Sequence, residues 1–151
     1  MTISIAGKYA IRSMMHLASL PKGSIVSINQ ISKKWDIPEG YLRKIIPLLS
    51  RAGLIYSRRG SGGGIELIQS ADSITFLDVI VAIEGKIFLN KCLINSEMCD
   101  KSPWCAANVV WGEAQAKMEH VLGSRTLADL VKMNNERYAR FQDEIIDKTT
   151  N

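Results

Sequence analysis

Cysteine is missing from the first 91 residues of this 151-residue chain and from the last 46, so every thiol falls at Cys92, Cys99 and Cys105, inside KCLINSEMCDKSPWC (residues 91–105). A disulfide framework spanning the fold is thereby excluded. Long apolar runs are missing as well: none reaches the roughly 18 residues of a membrane span. The apolar N-terminal stretch MTISIAGKYAIRSMMHLA is broken by Lys8 and Arg12, whereas a secretory signal places charge first and then an unbroken apolar block. We therefore expect a cytoplasmic protein with no membrane partner, a compartment in which clustered cysteines bind metal or sense redox state more often than they form disulfides. Acids are scarce in the first part: residues 1–64 hold ten Lys or Arg against Asp36 and Glu39, a net +8, while residues 65–151 hold nine bases and thirteen acids, a net −4. A basic half joined to an acidic half points to a polyanion partner for the first. With 46% apolar and 23% charged residues there is material for a folded core, so a disordered chain is excluded.

The apolar positions set out the elements. Ile5, Tyr9, Ala10, Met14, Leu17 and Ala18 predict a helix over residues 3–20. Ser27 followed three residues later by Gln30 forms a capping box, and Ile28, Ile31 and Trp35 give the short helix behind it one apolar face. Pro38 opens a third helix with Leu42, Ile45, Ile46 and Leu49 inward. Pro47 lies inside it, where a proline removes a hydrogen bond and costs about 3 kcal/mol, so a kink or an end near Ile46 is expected. Two strand-like runs, 54–57 and 65–68, flank RRGSGGG and predict a β-hairpin. Helix, capped helix–turn–helix and hairpin, in that order, predict a mainly α fold with a small β-hairpin wing: a winged helix-turn-helix domain. ADSITFLDVIVAIEGK adds a helix, and the cysteine segment follows as an irregular loop. From Pro103 to about Gly123 the residues Trp104, Ala107, Trp111, Ala114, Met118 and Val121 recur at three-four spacing, a heptad seam. Such a helix is about 31 Å long, and its narrow seam predicts a homodimer. RTLADLV predicts one more short helix. The domain boundaries expected are 1–85 for the DNA-binding domain, 86–105 for the cysteine loop, 103–130 for the dimerisation and following helices, and 131–151 for a polar tail.

The basic half and the third helix together define a candidate DNA-contacting set. Reading a major groove needs a helix presenting base-reading and phosphate-binding side chains near its N-terminus. Gly40, Tyr41, Arg43 and Lys44 occupy that place. The hairpin tip, with Arg58, Arg59, Gly60, Ser61 and Gly62, suits phosphates or a minor groove. Lys8, Arg12, Ser27 and Lys33 complete the set.

GKYAIRSMMHLA, SINQISKKWDIPEGYLRKIIPLLSRAGLI, SRRGSGGGIEL and ITFLDVIVAIEG resemble the successive blocks of the Rrf-two family of bacterial winged-helix transcription regulators, in order over roughly residues 1–130. The resemblance implies a dimer acting on an imperfect DNA palindrome, and no enzyme. It also implies an iron–sulfur cluster, [2Fe–2S] or [4Fe–4S], held by Cys92, Cys99 and Cys105, with oxygen or nitric oxide as effectors and iron, redox state or nitric oxide as the signal. Clusters usually take four ligands, and here the fourth is unassigned. One branch of the family keeps a His three residues beyond the last Cys, where this chain has Asn108. Another uses a carboxylate near the start of the first helix, in the region where this chain has Lys8. His120 lies fifteen residues beyond Cys105 on the same helix, about 22 Å along it, too far to close one site. Glu97 and Asp100 remain in the loop. The competing expectation is a winged-helix regulator that senses by thiol oxidation without a cluster. A redox enzyme is disfavoured because GSGGG lacks the strand and helix context of a nucleotide-binding turn.

Overall fold

The computed structural model describes residues 2–150. Six helices and one antiparallel hairpin run in the order α1 (Ile5–Ala18), α2 (Ile28–Trp35), α3 (Glu39–Arg51), β1 (Ile55–Arg58), β2 (Gly64–Leu67), α4 (Phe76–Glu84), α5 (Ala106–Gly123) and α6 (Leu127–Thr150). Two single 3₁₀ turns, Lys91–Leu93 and Ser96–Met98, lie in the cysteine segment.

Capping chemistry sets most of the boundaries. The Ser27 hydroxyl accepts from Gln30 N while the Gln30 side chain accepts from Ser27 N, the reciprocal box expected for α2. Thr75 and Asp78 repeat it at α4. Glu84, at the far end of α4, accepts from both the backbone N–H and the hydroxyl of Ser4, the N-cap of α1, at 3.0 and 2.6 Å. The spacing of Asp78 and Glu84 thus couples one helix start to another: Asp78 starts α4 and Glu84 holds α1 against it. Gly7 lets the two approach, since a Cβ there would strike the Glu84 carboxylate.

The core is one cluster spanning α1 to β2, α4 and the start of α6. Met14, Ile31, Leu42, Ile45, Leu49, Ile55 and Leu127 are essentially inaccessible. Each such side chain contributes about 1.5–3 kcal/mol by leaving water. Leu42, Ile45, Ile46 and Leu49 face inward on α3, as the sequence spacing predicts.

Three expectations are corrected. α3 runs through Pro47 to Arg51 without ending at Ile46. Pro47 is on the exposed side of the helix, so water can meet the carbonyl it leaves unbonded, and the buried residues on both sides of it, Ile46 and Leu49, tie the helix to the core. α5 begins at Ala106, with Cys105 as its N-cap. Pro103 and Trp104 belong to turns closed by Ser102 N to Cys99 O and Trp104 N to Lys101 O. Trp104, 74% exposed, is therefore off the helical seam. Finally, the short helix and polar tail are one helix, α6, reaching Thr150; residue 151 lies outside the described residues. Residues 127–150 contain no Pro or Gly to stop a helix, and Thr126 and Asp129 cap its start reciprocally. The Thr126 N–H first, then the Thr126 hydroxyl, hold the Asp129 carboxyl below its ordinary value.

His16 gives the fold a pH dependence. It lies partly buried in α1, and burial first, then the charge of Lys34, hold its pKa below the usual 6.5. Between the folded and unfolded values the unfolded chain binds more protons, so stability falls as pH drops through about 6.5 and levels off below the folded value. The unfolding midpoint is expected to be lower at pH 5.5 than at pH 7.5, and His16→Gln to flatten that slope, as read by circular dichroism melts.

Candidate nucleic-acid interface and cysteine loop

The hairpin is built to project a cationic tip. β1 and β2 pair in the register Ile55–Leu67, Tyr56–Glu66, Ser57–Ile65 and Arg58–Gly64. The base of the wing is pinned to the body by Val26, which exchanges two backbone hydrogen bonds with Ile65, at 3.0 and 2.8 Å. The turn closes with Gly63 N donating to Gly60 O, and Gly60 and Gly62 adopt left-handed backbone (φ 95° and 76°). That conformation favours glycine. The tip sequence is thus read by the turn as well as by its charge.

The two tip arginines are not equivalent. Arg58 is engaged: its Nε and Nη2 donate to Glu66 Oε1 at 3.1 and 2.8 Å, and its guanidinium lies 5.8 Å from the Tyr56 ring centre. Arg59 makes no hydrogen bond or ion pair among the described residues, and it is exposed. α3 and the wing flank a common cleft of about 540 Å³, lined by Arg43, Pro47, Ser57, Arg58, Arg59 and Gly60 among others. The structure thus brings Arg43, Arg58, Arg59 and Gly60 to one surface.

At the start of α3 the polar side chains form a chain of contacts. Arg43 Nη2 donates to Glu39 Oε2 at 3.0 Å, and Asn29 of α2 donates to Glu39 Oε1 at 3.1 Å. The Asn29 bond first, then Arg43, holds the Glu39 carboxyl below its ordinary range. Sequence reasoning missed Glu39 and Asn29. The Glu39–Arg43 pair was readable from its i, i+4 spacing; Asn29 was not, because its contact crosses helices. Tyr41 sits edge-on to Tyr9, ring centres 5.2 Å apart, so it braces α3 on α1 while still partly exposed. Gly40 and Lys44 are exposed on the same helix. Ser27 Oγ accepts the capping bond, which leaves its O–H free to donate. Lys33 is exposed on α2. Lys8 and Arg12 are exposed one turn apart on α1, and among the described residues neither side chain bonds to α3 or the wing.

The cysteine loop is a different case. Cys92, Cys99 and Cys105 are free and half-buried. Cys92 lies in the first 3₁₀ turn, Cys99 just beyond the second, and Cys105 at the N-cap of α5. Among the described residues no three His, Cys, Asp or Glu side chains lie together as a metal site. Cysteine thiolates are the donors an iron–sulfur cluster takes, and in this arrangement the three are not gathered into one site. Asn108 is fixed in place: its Nδ2 donates to the backbone O and the Oγ of Ser102, at 3.3 and 2.9 Å, and its buried Oδ1 has no partner among the described residues. Glu97 N bonds to Asn95. His120 is on the last turn of α5.

Behind the loop, Gln115 fastens α5 to the body. It is buried, accepts from Leu89 N and donates to Ile87 O. Elsewhere on α5, Val109, Val110, Trp111 and Val121 are open to solvent, Trp111 being 41% exposed. Of the expected seam residues, Ala107, Trp111 and Val121 are exposed, whereas Ala114 and Met118 are half-covered.

A capped helix pair, a groove-sized helix and a glycine-tipped cationic wing define a winged-helix transcription regulator. The family model described as "Rrf2: Iron-dependent Transcriptional regulator" matches residues 3–133, and the chain belongs to that family. Its members regulate transcription, bind DNA and are not enzymes. CymR (YrzC), the global cysteine regulator of B. subtilis, superposes with a TM-score of 0.73 at 29% identity, over 88% of this chain and 98% of that one. T. potens IscR gives 0.71 at 29% identity, over 91% and 90%. The oxidized form of Staphylococcus aureus CymR gives 0.67 at 27% identity, over 87% and 96%. No helix among the described residues is long and apolar enough to cross a membrane.

Proposed function

We propose that this chain is a homodimeric, cytoplasmic operator-binding regulator whose DNA affinity is set at the three-cysteine loop. The observation that carries the reading is the shared cleft of α3 and the wing, with Arg43 and Arg59 on its walls. In this reading residues 1–85 bind DNA and 86–105 sense. The exposed side of α5 pairs two protomers, so that two α3 helices meet two half-sites of an imperfect palindrome. The contacting set is the one expected from sequence, with Arg59 ahead of Arg58.

Cys92, Cys99 and Cys105 are the sensing residues, and an iron–sulfur cluster, [2Fe–2S] or [4Fe–4S], is the group they are proposed to hold. The iron-dependent description of the family model supports this. When bound, such a group supplies reactivity toward oxygen or nitric oxide. Its fourth ligand is not assigned, since Asn108 is tied to Ser102 and Lys8 is an exposed cation. A second reading, thiol oxidation without a cluster, is favoured by the separation of the thiols and by the likeness to a CymR solved in an oxidized form.

Protein purified without oxygen separates the two. The cluster reading expects brown protein with iron and sulfide, colour lost in Cys99→Ala and kept in Arg59→Ala. The thiol reading expects colourless protein whose operator affinity changes reversibly on oxidation. Equal affinity of cysteine-alkylated and untreated protein at fixed salt would overturn both.

A further inference from the structure

α6 is longer than the body it packs on. Its inward stripe starts at Leu127, fully buried, and passes through half-buried Leu130 and Val131. The same stripe continues through Asn134, Tyr138, Phe141 and Ile145, in steps of four, three and four. That is the spacing of a coiled-coil seam. The rest of the chain stops covering it: Tyr138 is 60% and Phe141 57% exposed. The family match ends at residue 133, short of Tyr138, Phe141 and Ile145. A shallow groove of about 460 Å³ runs along it, lined by Asn134, Arg137, Tyr138, Arg140, Phe141 and Glu144.

The flanking charges select a partner and a direction. With Tyr138 at a and Phe141 at d, Arg137 and Glu144 both fall at g, on one flank, and Asn135 and Gln142 at e, on the other. Neither the Arg137 nor the Glu144 side chain forms a hydrogen bond or ion pair among the described residues. In a parallel pair the g flank of one helix meets the e flank of its partner, and Arg137 would find an uncharged amide. Reversing one helix brings the two g flanks together, so each Arg137 meets the Glu144 of the other copy, twice about one two-fold axis. The same arrangement packs Tyr138 on Phe141. Such flank charges set orientation and partner choice in helical pairs, and an isologous contact of this kind is self-complementary.

We propose that the C-terminal part of α6 pairs antiparallel with α6 of a second copy of this chain, Tyr138 against Phe141 and Arg137 against Glu144. This contact is separate from the seam on α5, so a chain using both associates beyond two protomers. Sedimentation of the full chain at low salt tests it. Arg137→Glu is expected to lower the weight-average mass by roughly half at concentrations where the unaltered chain is fully associated, because one two-fold contact is lost. Glu144→Arg should do the same, and the double variant R137E/E144R should restore the mass. Circular dichroism checks that every variant keeps its helix content. A single reversal that leaves the mass unchanged, a helical double variant that stays dissociated, or an unaltered chain that is monomeric at every concentration overturns the proposal.

Discussion

Arg59→Ala should weaken DNA binding by roughly 10- to 100-fold, about 1.4 kcal/mol for each tenfold step. It should do so on all sequences alike. The reason lies in the unequal tip. Arg58 spends its guanidinium on Glu66, at 2.8 Å, inside the hairpin, so its charge is largely cancelled before DNA arrives. Arg59 carries the uncompensated charge at the end of the wing. A side chain that contacts phosphate weakens binding almost uniformly when removed and lowers the salt slope by about one per contact. Two wings on a palindrome therefore predict a slope shallower by about two. Fluorescence anisotropy across a salt series, with an operator and an unrelated duplex, measures both effects. Arg58→Ala should cost less, because the Arg58 guanidinium is held on Glu66 and reaches a phosphate only by leaving that pair. If Arg58→Ala is the more damaging change, the Arg58–Glu66 pair opens on DNA and the assignment of the tip is wrong.

The hierarchy of the wing was only partly legible in the sequence. RRGSGGG announced a charged, glycine-rich tip, and the tip is there. Which arginine is free depends on Glu66, which the hairpin register places opposite Tyr56, within reach of Arg58. A register shifted by one residue would have changed that choice, and no local pattern specifies it. The helices show the same division. The stripe on α3 was legible because four inward residues repeat at 3.6 spacing, and the Ser27–Gln30 capping box was legible because it is local. Helix ends that depend on tertiary contacts were not. Pro47 is tolerated because the core grips α3 on both sides of it. α6 runs on because its stripe continues past the body that buries its first turns. At the cysteine loop the spacing of three thiols was plain, but a loop with no apolar stripe carries no signal for where its side chains come to rest. Residues 91–105 have two single 3₁₀ turns and two further hydrogen-bonded turns, and among the described side chains only that of Ser102 is buried.

Gly64→Ala should cost about 1–3 kcal/mol of stability, the range for forcing extra atoms into a packed site. It should also weaken DNA binding in step. Gly64 has ordinary backbone angles, so conformational freedom is not the reason for glycine. Space is: a Cβ there would stand 2.5 Å from Val26 O and 2.8 Å from Val26 C, both backbone atoms that cannot swing aside. Val26 is the residue that anchors the wing, through its paired bonds with Ile65. Relief of the clash must lengthen those bonds or tilt the hairpin, and either moves Arg59 relative to α3. A chain of this size loses about 2–4 °C of melting temperature per kcal/mol, so a thermal melt resolves the change. Gly40 is the control. It lies in the first turn of α3, where an added Cβ would meet nothing within 4 Å, so Gly40→Ala should raise stability by up to about 1 kcal/mol. A Gly64→Ala protein that melts with the unaltered chain and binds DNA equally well would show that the wing is not held by Val26.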